Sequence, residues 1–298
     1  MKPAPFRYHR PATVAEATGL LEELGEGAKV LAGGQSLLPM LSLRLTAFDD
    51  LVDIGRIAEL QGIEAGGGAV RIGAGTRMAD VERAPAAAAV PLLARATPLI
   101  GHFQIRNLGT VGGSIAHADP AAEYPAVART LDATMEVASP AGRRTIAAAD
   151  FFDGLWTTTM GPDEVLTAVS FPVWAGRTGF AVEELARRHG DFALAGAMVA
   201  LSLDGDDRVR RCAIGLFGLG SVPERAGAAE AAATGRLLGD VDAEELGRSA
   251  TAGLEGVPDD LHASAPYRVE VGAVLVARAW AAASAEARRS GGGERDDG

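Results

Sequence analysis

The amino-acid sequence predicts an α+β chain in two parts, an N-terminal α/β half and a C-terminal half in which an antiparallel three-stranded sheet precedes three helices. Three observations predict it. Up to Pro172, short apolar runs alternate with glycine turns and Ala-rich amphipathic stretches. Beyond Gly179, long strand-like runs come first and helical stretches follow, the order of an α+β unit. Between them, Val173-Trp174-Ala175-Gly176-Arg177-Thr178 interrupts both patterns and marks a junction.

Taken in order, Val30-Leu31-Ala32 reads as a buried strand, Ser36–Leu43 as a short helix behind a glycine turn, and Leu51–Ile54 and Ala69–Ala74 as two further strands. Helices are expected at Arg77–Ala84, Val90–Ile100 and Pro120–Leu131, the last with Asp119 as cap and proline at its first position. Thr134–Ala138 and Arg143–Ala147 suit a hairpin across Ser139-Pro140-Ala141-Gly142, and Glu164–Phe171 suits a strand closed by Pro172. The second half offers strands at Gly179–Ala186, Phe192–Leu203 and Arg208–Gly218, with Asp204-Gly205-Asp206-Asp207 as the turn between the last two. Helices follow at Pro223–Thr234, Asp242–Leu254 and Pro266–Arg289. The expected division is 1–176, 177–289 and a tail, 290–298, whose glycine and charge predict disorder. No internal repeat is visible.

A chain of 298 residues with 48% hydrophobic and 22% charged residues can bury a substantial core and has the composition of a soluble globular protein. No apolar run reaches the length needed to cross a bilayer, since Val274–Ala283 carries Arg278 and is flanked by Arg268 and Glu270, so no transmembrane segment is expected. Met1–Phe6 has one cation and no apolar core, which predicts no secretion signal and a cytoplasmic location. A net charge of −11 with no basic stripe argues against nucleic acid as a partner. The single cysteine, Cys212, excludes an internal disulfide and any iron–sulfur cluster held by four thiolates of this chain. In Arg211-Cys212-Ala213-Ile214 it reads as a packed thiol in a strand.

Two segments carry chemistry. Lys29-Val30-Leu31-Ala32-Gly33-Gly34-Gln35-Ser36-Leu37 is a strand running through paired glycines into a helix, where backbone N–H groups can face an anion such as a pyrophosphate. The same residues also make an ordinary tight turn. About eighty residues later, Arg106-Asn107-Leu108-Gly109-Thr110-Val111-Gly112-Gly113-Ser114-Ile115-Ala116-His117-Ala118-Asp119-Pro120 repeats the glycine pattern, with hydroxyl and carboxylate groups able to bond ribose or phosphate. Two such loops in one half favour a shared ligand site over two unrelated turns.

Other signatures fail. Gly73-Ala74-Gly75-Thr76-Arg77-Met78 has methionine where a dinucleotide fingerprint requires its third glycine, and no phosphate-binding Gly-Lys-Ser/Thr occurs. His9, His102, His117, His189 and His262 are isolated at long spacings, which predicts no metal site. There is no Gly-x-Ser-x-Gly nucleophile elbow, and the carboxylates fall in turns and on helix faces, so no catalytic residue is assigned.

At the two glycine loops the sequence resembles a known family. Ala32-Gly33-Gly34-Gln35-Ser36-Leu37 with Pro39 and Arg44, then Arg106-Asn107-x-Gly109-Thr110-Val111-Gly112-Gly113-Ser114, are similar to the FAD signatures of the medium subunit of the molybdenum hydroxylases, the family of aerobic carbon monoxide dehydrogenase and xanthine dehydrogenase. The resemblance continues in order through Ala118-Asp119-Pro120 and Glu123, Asp150-Phe151-Phe152, Glu164-x-Leu166-Thr167, Phe171-Pro172 and Arg187-Arg188-His189-Gly190-Asp191-Phe192-Ala193.

It implies FAD as cofactor and a vanillyl-alcohol-oxidase-like FAD domain of two α/β subdomains, approximately 1–55 and 56–176, followed by the antiparallel sheet and helices. By position, Lys29 and Val30–Leu37 would wrap the diphosphate, while Gly109, Thr110, Gly113, Ser114, Ala116, His117 and Glu123 would hold diphosphate, ribitol and ribose. Val165 and Leu166 would pack near the adenine, and Asp191 with Phe192 would approach the isoalloxazine, where Phe192 can stack or shield but cannot donate a hydrogen bond. The resemblance further implies two partners, an iron–sulfur small subunit and a large subunit with the molybdenum cofactor. This chain would then pass electrons from the clusters to quinone, oxygen or NAD. The alternative is a self-sufficient FAD oxidase or oxygenase that reuses the fold without molybdenum partners; a scaffold that has lost its flavin is a third reading.

Overall fold

The structure, a computed structural model, describes residues 2–290. In chain order its elements are β1 (Arg7–His9), α1 (Val14–Leu24), β2 (Ala28–Leu31), α2 (Leu37–Leu43), β3 (Asp50–Asp53), β4 (Ile63–Gly66), β5 (Ala69–Gly73), α3 (Met78–Arg83), α4 (Pro91–Ala96), α5 (Phe103–Arg106), α6 (Val111–His117) and α7 (Glu123–Thr130). There follow β6 (Thr134–Ser139), β7 (Gly142–Ala147), α8 (Ala148–Phe151), β8 (Phe152–Gly154), β9 (Thr157–Thr158), β10 (Val165–Pro172), β11 (Thr178–Leu185), β12 (Ala195–Leu203), β13 (Val209–Phe217), β14 (Glu224–Arg225), α9 (Gly227–Ala233), α10 (Ala243–Thr251) and α11 (Ala265–Arg289). They form two compact units, one from Met1–Ala89, His102–Ala118 and Ala133–Phe171, the other from Val90–Gly101, Asp119–Asp132 and the chain from Pro172 onward.

The first unit holds a parallel sheet in the order β1-β3-β2 and a five-stranded sheet in the order β4-β5-β10-β6-β7. Helix α1 starts where the Thr13 hydroxyl accepts from the Glu16 N–H. Its apolar positions Val14, Ala17 and Leu21 share one face and bury against Val52, Ile54, Ile57 and Leu60. Removing a side chain such as Leu60 from water is worth about 1.5 to 3 kcal/mol. The parallel sheet matters for function because β2 ends at the first glycine loop. Strand β1 is fixed on it by a bidentate Arg7–Asp50 pair.

In the second unit β11-β12-β13-β14 form an antiparallel sheet whose central strand β12 is buried at all nine positions. A strand covered on both faces reads as a continuous apolar run, which is why Ala195–Leu203 shows no alternation. One face packs on α11 through Leu275, Val276, Ala279, Trp280 and Ala283. The α+β class is therefore as the sequence predicts, with four strands in this sheet where three are expected.

The additional strand comes from Glu224–Arg225, inside the segment expected to be helical from Pro223. Arg225 bonds Glu230, Asp132 and the Thr130 carbonyl, and these contacts hold 224–225 extended, so the helix begins at Gly227. The helix expected from Pro120 begins instead at Glu123. Asp119 does not cap it: its Oδ1 accepts from Ala121 N in a local turn, and the Pro120 carbonyl takes the Gly218 N–H. The strand expected from Phe192 begins at Ala195, which leaves Phe192 in a loop and 61% exposed. Of the tail, Ser290 closes α11 and residues 291–298 lie outside the described residues.

Candidate functional site

In the first unit the two glycine loops lie directly against each other. A Cβ on Gly33 would sit 2.3 Å from the Leu108 carbonyl oxygen and 2.8 Å from the Gly109 Cα, so only glycine permits the loops to meet here. A Cβ on Gly113 would meet the Thr110 Oγ1 at 2.7 Å and the Ala32 Cβ at 3.4 Å. The glycines that sequence alone suggests for ligand approach thus have a prior task, joining loop to loop.

The loops differ in what they leave for a ligand. At the start of α6 the Val111 N–H donates to the Thr76 carbonyl, Gly112 to Ala74, Gly113 to Thr110 Oγ1 and Ser114 to the Thr110 carbonyl. The N–H groups of the first three helical residues, Val111, Gly112 and Gly113, which a helix normally leaves open, are thus all bonded, and that of Ser114 makes the helix's own first bond. At the first loop, the successive N–H groups of Gly33, Gly34, Gln35, Ser36 and Leu37 donate to no protein acceptor among the described residues, and Ser36 makes no side-chain cap. That run of half-buried donors at a helix start is the arrangement that binds a phosphate oxygen. Gln35 braces it by donating from Nε2 to the Gly33 carbonyl.

Sequence reasoning missed the support of the second loop. The Gly73-Ala74-Gly75-Thr76 run, which fails as a dinucleotide fingerprint, supplies the two carbonyls that fix α6. Of the other expected residues in this unit, Val165 and Leu166 are buried in β10, Lys29 is exposed with its ammonium 5.9 Å from the Phe48 ring centroid, Ala116 is exposed, and His117 stacks on Trp156 at 6.4 Å between centroids.

In the second unit Glu123 opens α7 and is 7% exposed. Burial pushes its carboxyl up to about 8, and the nearby Glu184 and Asp119 carboxyls add to the effect. Glu184 is itself raised to about 7 by burial, and its Oε2 has no hydrogen-bond partner among the described residues. The sequence signal for it is the acidic pair Glu183-Glu184 within the strand expected at Gly179–Ala186. Asp191 and Phe192 stand in the loop between β11 and β12. Cys212 is buried, and its thiol is pushed up to about 11 by burial, so it is no thiolate at neutral pH.

The chain matches two family models end to end. Residues 4–174 match the FAD binding domain in molybdopterin dehydrogenase, and residues 180–283 match the CO dehydrogenase flavoprotein C-terminal domain. The chain is 39% identical to the carbon monoxide dehydrogenase medium chain of Hydrogenophaga pseudoflava, over 95% of this chain and 98% of that one. It is 37% identical to the 6-hydroxypseudooxynicotine dehydrogenase complex subunit alpha of Paenarthrobacter nicotinovorans, over 97% of each. Among solved structures it is similar to carbon monoxide dehydrogenase from Hydrogenophaga pseudoflava lacking the Mo-pyranopterin moiety, with a TM-score of 0.93 and 41% identity over 96% of this chain and 99% of that one. Quinoline 2-oxidoreductase from Pseudomonas putida 86 gives a TM-score of 0.90 and 35% identity over 96% and 99%.

Proposed function

The chain belongs to the FAD-binding medium subunits of the molybdenum hydroxylase family, and from that membership we propose that it is the electron-transfer flavin subunit of such a complex. FAD is its cofactor and it acts as one subunit of an oxidoreductase. In the proposed reaction, electrons reach it from iron–sulfur clusters on a small partner chain, after substrate oxidation at a molybdenum cofactor on a large one, and leave to quinone, oxygen or NAD. The single cysteine supports this reading, because four thiolates for a cluster must come from another chain. Bound FAD supplies the redox chemistry itself, and the protein supplies binding, orientation and electrostatics.

The observation that carries the site is the row of unbonded N–H groups from Gly33 to Leu37, assigned to the diphosphate within the stretch Lys29-Val30-Leu31-Ala32-Gly33-Gly34-Gln35-Ser36-Leu37. Gly109 and Gly113 shape the second wall, while Thr110, Ser114, Ala116 and His117 line the diphosphate and ribitol. Glu123 accepts from the ribose hydroxyls, a role that adds donors to a buried carboxyl held in the protein by a backbone hydrogen bond at its own residue. Val165 and Leu166 back the adenine side, and Asp191 and Phe192 approach the isoalloxazine. In sequence terms we assign the FAD-binding domain to 1–176, of the vanillyl-alcohol-oxidase-like kind with two subdomains, and the C-terminal domain to 177–289. No helix among the described residues is long and apolar enough to cross a membrane, and a cytoplasmic location is part of the proposal. The test is the identity of the released flavin: denaturing the purified chain should free FAD and not FMN, and a colourless chain that FAD cannot reconstitute would refute the site.

A further inference from the structure

Outside the residues assigned above, one buried side chain stands where stability alone would favour another. Arg268 lies in the first turn of α11 and is 4% exposed. Its Nη1 donates to the Leu194 carbonyl at 2.6 Å and its Nη2 to Asp260 Oδ2 at 2.9 Å. Asp260 is oriented in turn by the N–H groups of His262 and Ala263, which donate to its Oδ1 at 2.8 and 3.1 Å. The Nε of Arg268 is buried with no partner among the described residues.

Two penalties attach to this placement. Taking a cation out of water is costly, and a single carboxylate partner that is itself 43% exposed repays little of that cost. A positive charge in the first turn also opposes the helix dipole. An apolar residue would carry neither penalty. What it could not do is bond the Leu194 carbonyl.

Leu194 is the exit of the loop between β11 and β12, and its N–H donates to the Leu185 carbonyl at 2.7 Å to close the loop's base. Around Asp191 two restraints are weak. Asp191 N donates to the Arg188 carbonyl at 3.1 Å, and the Arg187–Asp191 ion pair is long, 3.6 Å, and solvent-exposed. Phe192 is 61% exposed.

We propose that Arg268, anchored by Asp260, is a positioning residue that fixes the Leu194 carbonyl and so sets where Asp191 and Phe192 stand against the flavin. The proposal rests on the reading that those two residues face the isoalloxazine. It names a role for a residue that touches neither cofactor nor substrate.

The experiment compares Arg268→Met, Arg268→Lys and Phe192→Ala in the full chain, freed of flavin and titrated with FAD. Thermal midpoints of the apo-chains separate folding from positioning. Arg268→Met should still fold, because Asp260 stays solvated, yet bind FAD about tenfold more weakly. Its bound-flavin spectrum and midpoint potential should shift in the same direction as those of Phe192→Ala, with Arg268→Lys recovering part of the difference. Wild-type affinity, spectrum and potential in Arg268→Met, while Phe192→Ala alters them, would overturn the proposal. If Phe192→Ala is also silent, the loop does not face the flavin, and the underlying reading falls with it. Should Arg268→Met not fold, Asp260→Asn, which weakens only the anchor, must give a smaller shift of the same sign; an unchanged flavin signal there overturns the proposal equally.

Discussion

Replacing Glu123 with glutamine should make the apo-chain more stable and a poorer FAD binder at once. Burial raises the carboxyl from its ordinary 4.5 to about 8. Below pH 4.5 the group is protonated whether the chain is folded or not, and glutamate and glutamine behave alike. As the pH rises from 4.5 towards 8, the unfolded chain releases a proton that the folded chain keeps, and wild-type stability falls across that window. At about 1.4 kcal/mol per tenfold change the full gap is worth a few kcal/mol, with about 5 kcal/mol as its upper bound. Glutamine has no proton to lose, so urea denaturation of the two apo-chains should give similar stability at pH 4.5 and a clear advantage for Glu123→Gln at pH 8. Binding should move the other way. Above pH 8, where the carboxyl is ionised, losing a charged acceptor for the ribose hydroxyls is worth about 1.5 to 3 kcal/mol, or roughly one to two orders of magnitude in Kd. A Glu123→Gln chain with wild-type pH dependence, or with wild-type FAD affinity, would refute the reasoning.

The loop contacts set two further expectations. Gly33→Ala drives a Cβ into the Leu108 backbone and should abolish flavin content with a loss of apo-chain stability, whereas Gly113→Ala meets mainly the movable Thr110 hydroxyl and should retain part of its flavin; equal flavin content in both would contradict the loop-to-loop contact. Cys212→Ser should leave flavin content unchanged, and the native thiol should stay inert to disulfide reagents at pH 8 until the chain is denatured. With a net charge of −11, association with a basic surface of the iron–sulfur partner should slow as salt rises, read by stopped-flow mixing.

The elements carried by patterning are those the sequence revealed. The hairpin of β6 and β7, the Asp204–Asp207 turn and the helix of Pro266–Arg289 emerge within a residue or two of expectation, because each has its own turn chemistry or length. What was missed depends on partners distant in sequence. Strand β1 exists because Asp50 binds its arginine, and β14 because Arg225 reaches Asp132 and Thr130. Helix α1 is legible in the sequence from its Thr13 cap and the spacing of Val14, Ala17 and Leu21. At the site, sequence drew attention to both glycine loops but could not distinguish their tasks. That distinction needs the hydrogen bonds: Thr76, Ala74 and Thr110 take the Val111, Gly112 and Gly113 donors of the second loop, and no acceptor among the described residues takes those from Gly33 to Leu37 in the first.

The central claim is that this chain relays electrons through bound FAD and leaves the organic substrate to a partner. Its most direct test is anaerobic bleaching of the flavin band near about 450 nm, a property of the oxidised cofactor. Substrates of molybdenum hydroxylases would be added first to the FAD-loaded chain alone and then to the chain reconstituted with its iron–sulfur and molybdenum subunits. The account predicts no bleaching of the lone chain and rapid bleaching in the complex. Rapid bleaching of the lone chain by an organic substrate would contradict it and identify a self-sufficient flavin oxidase.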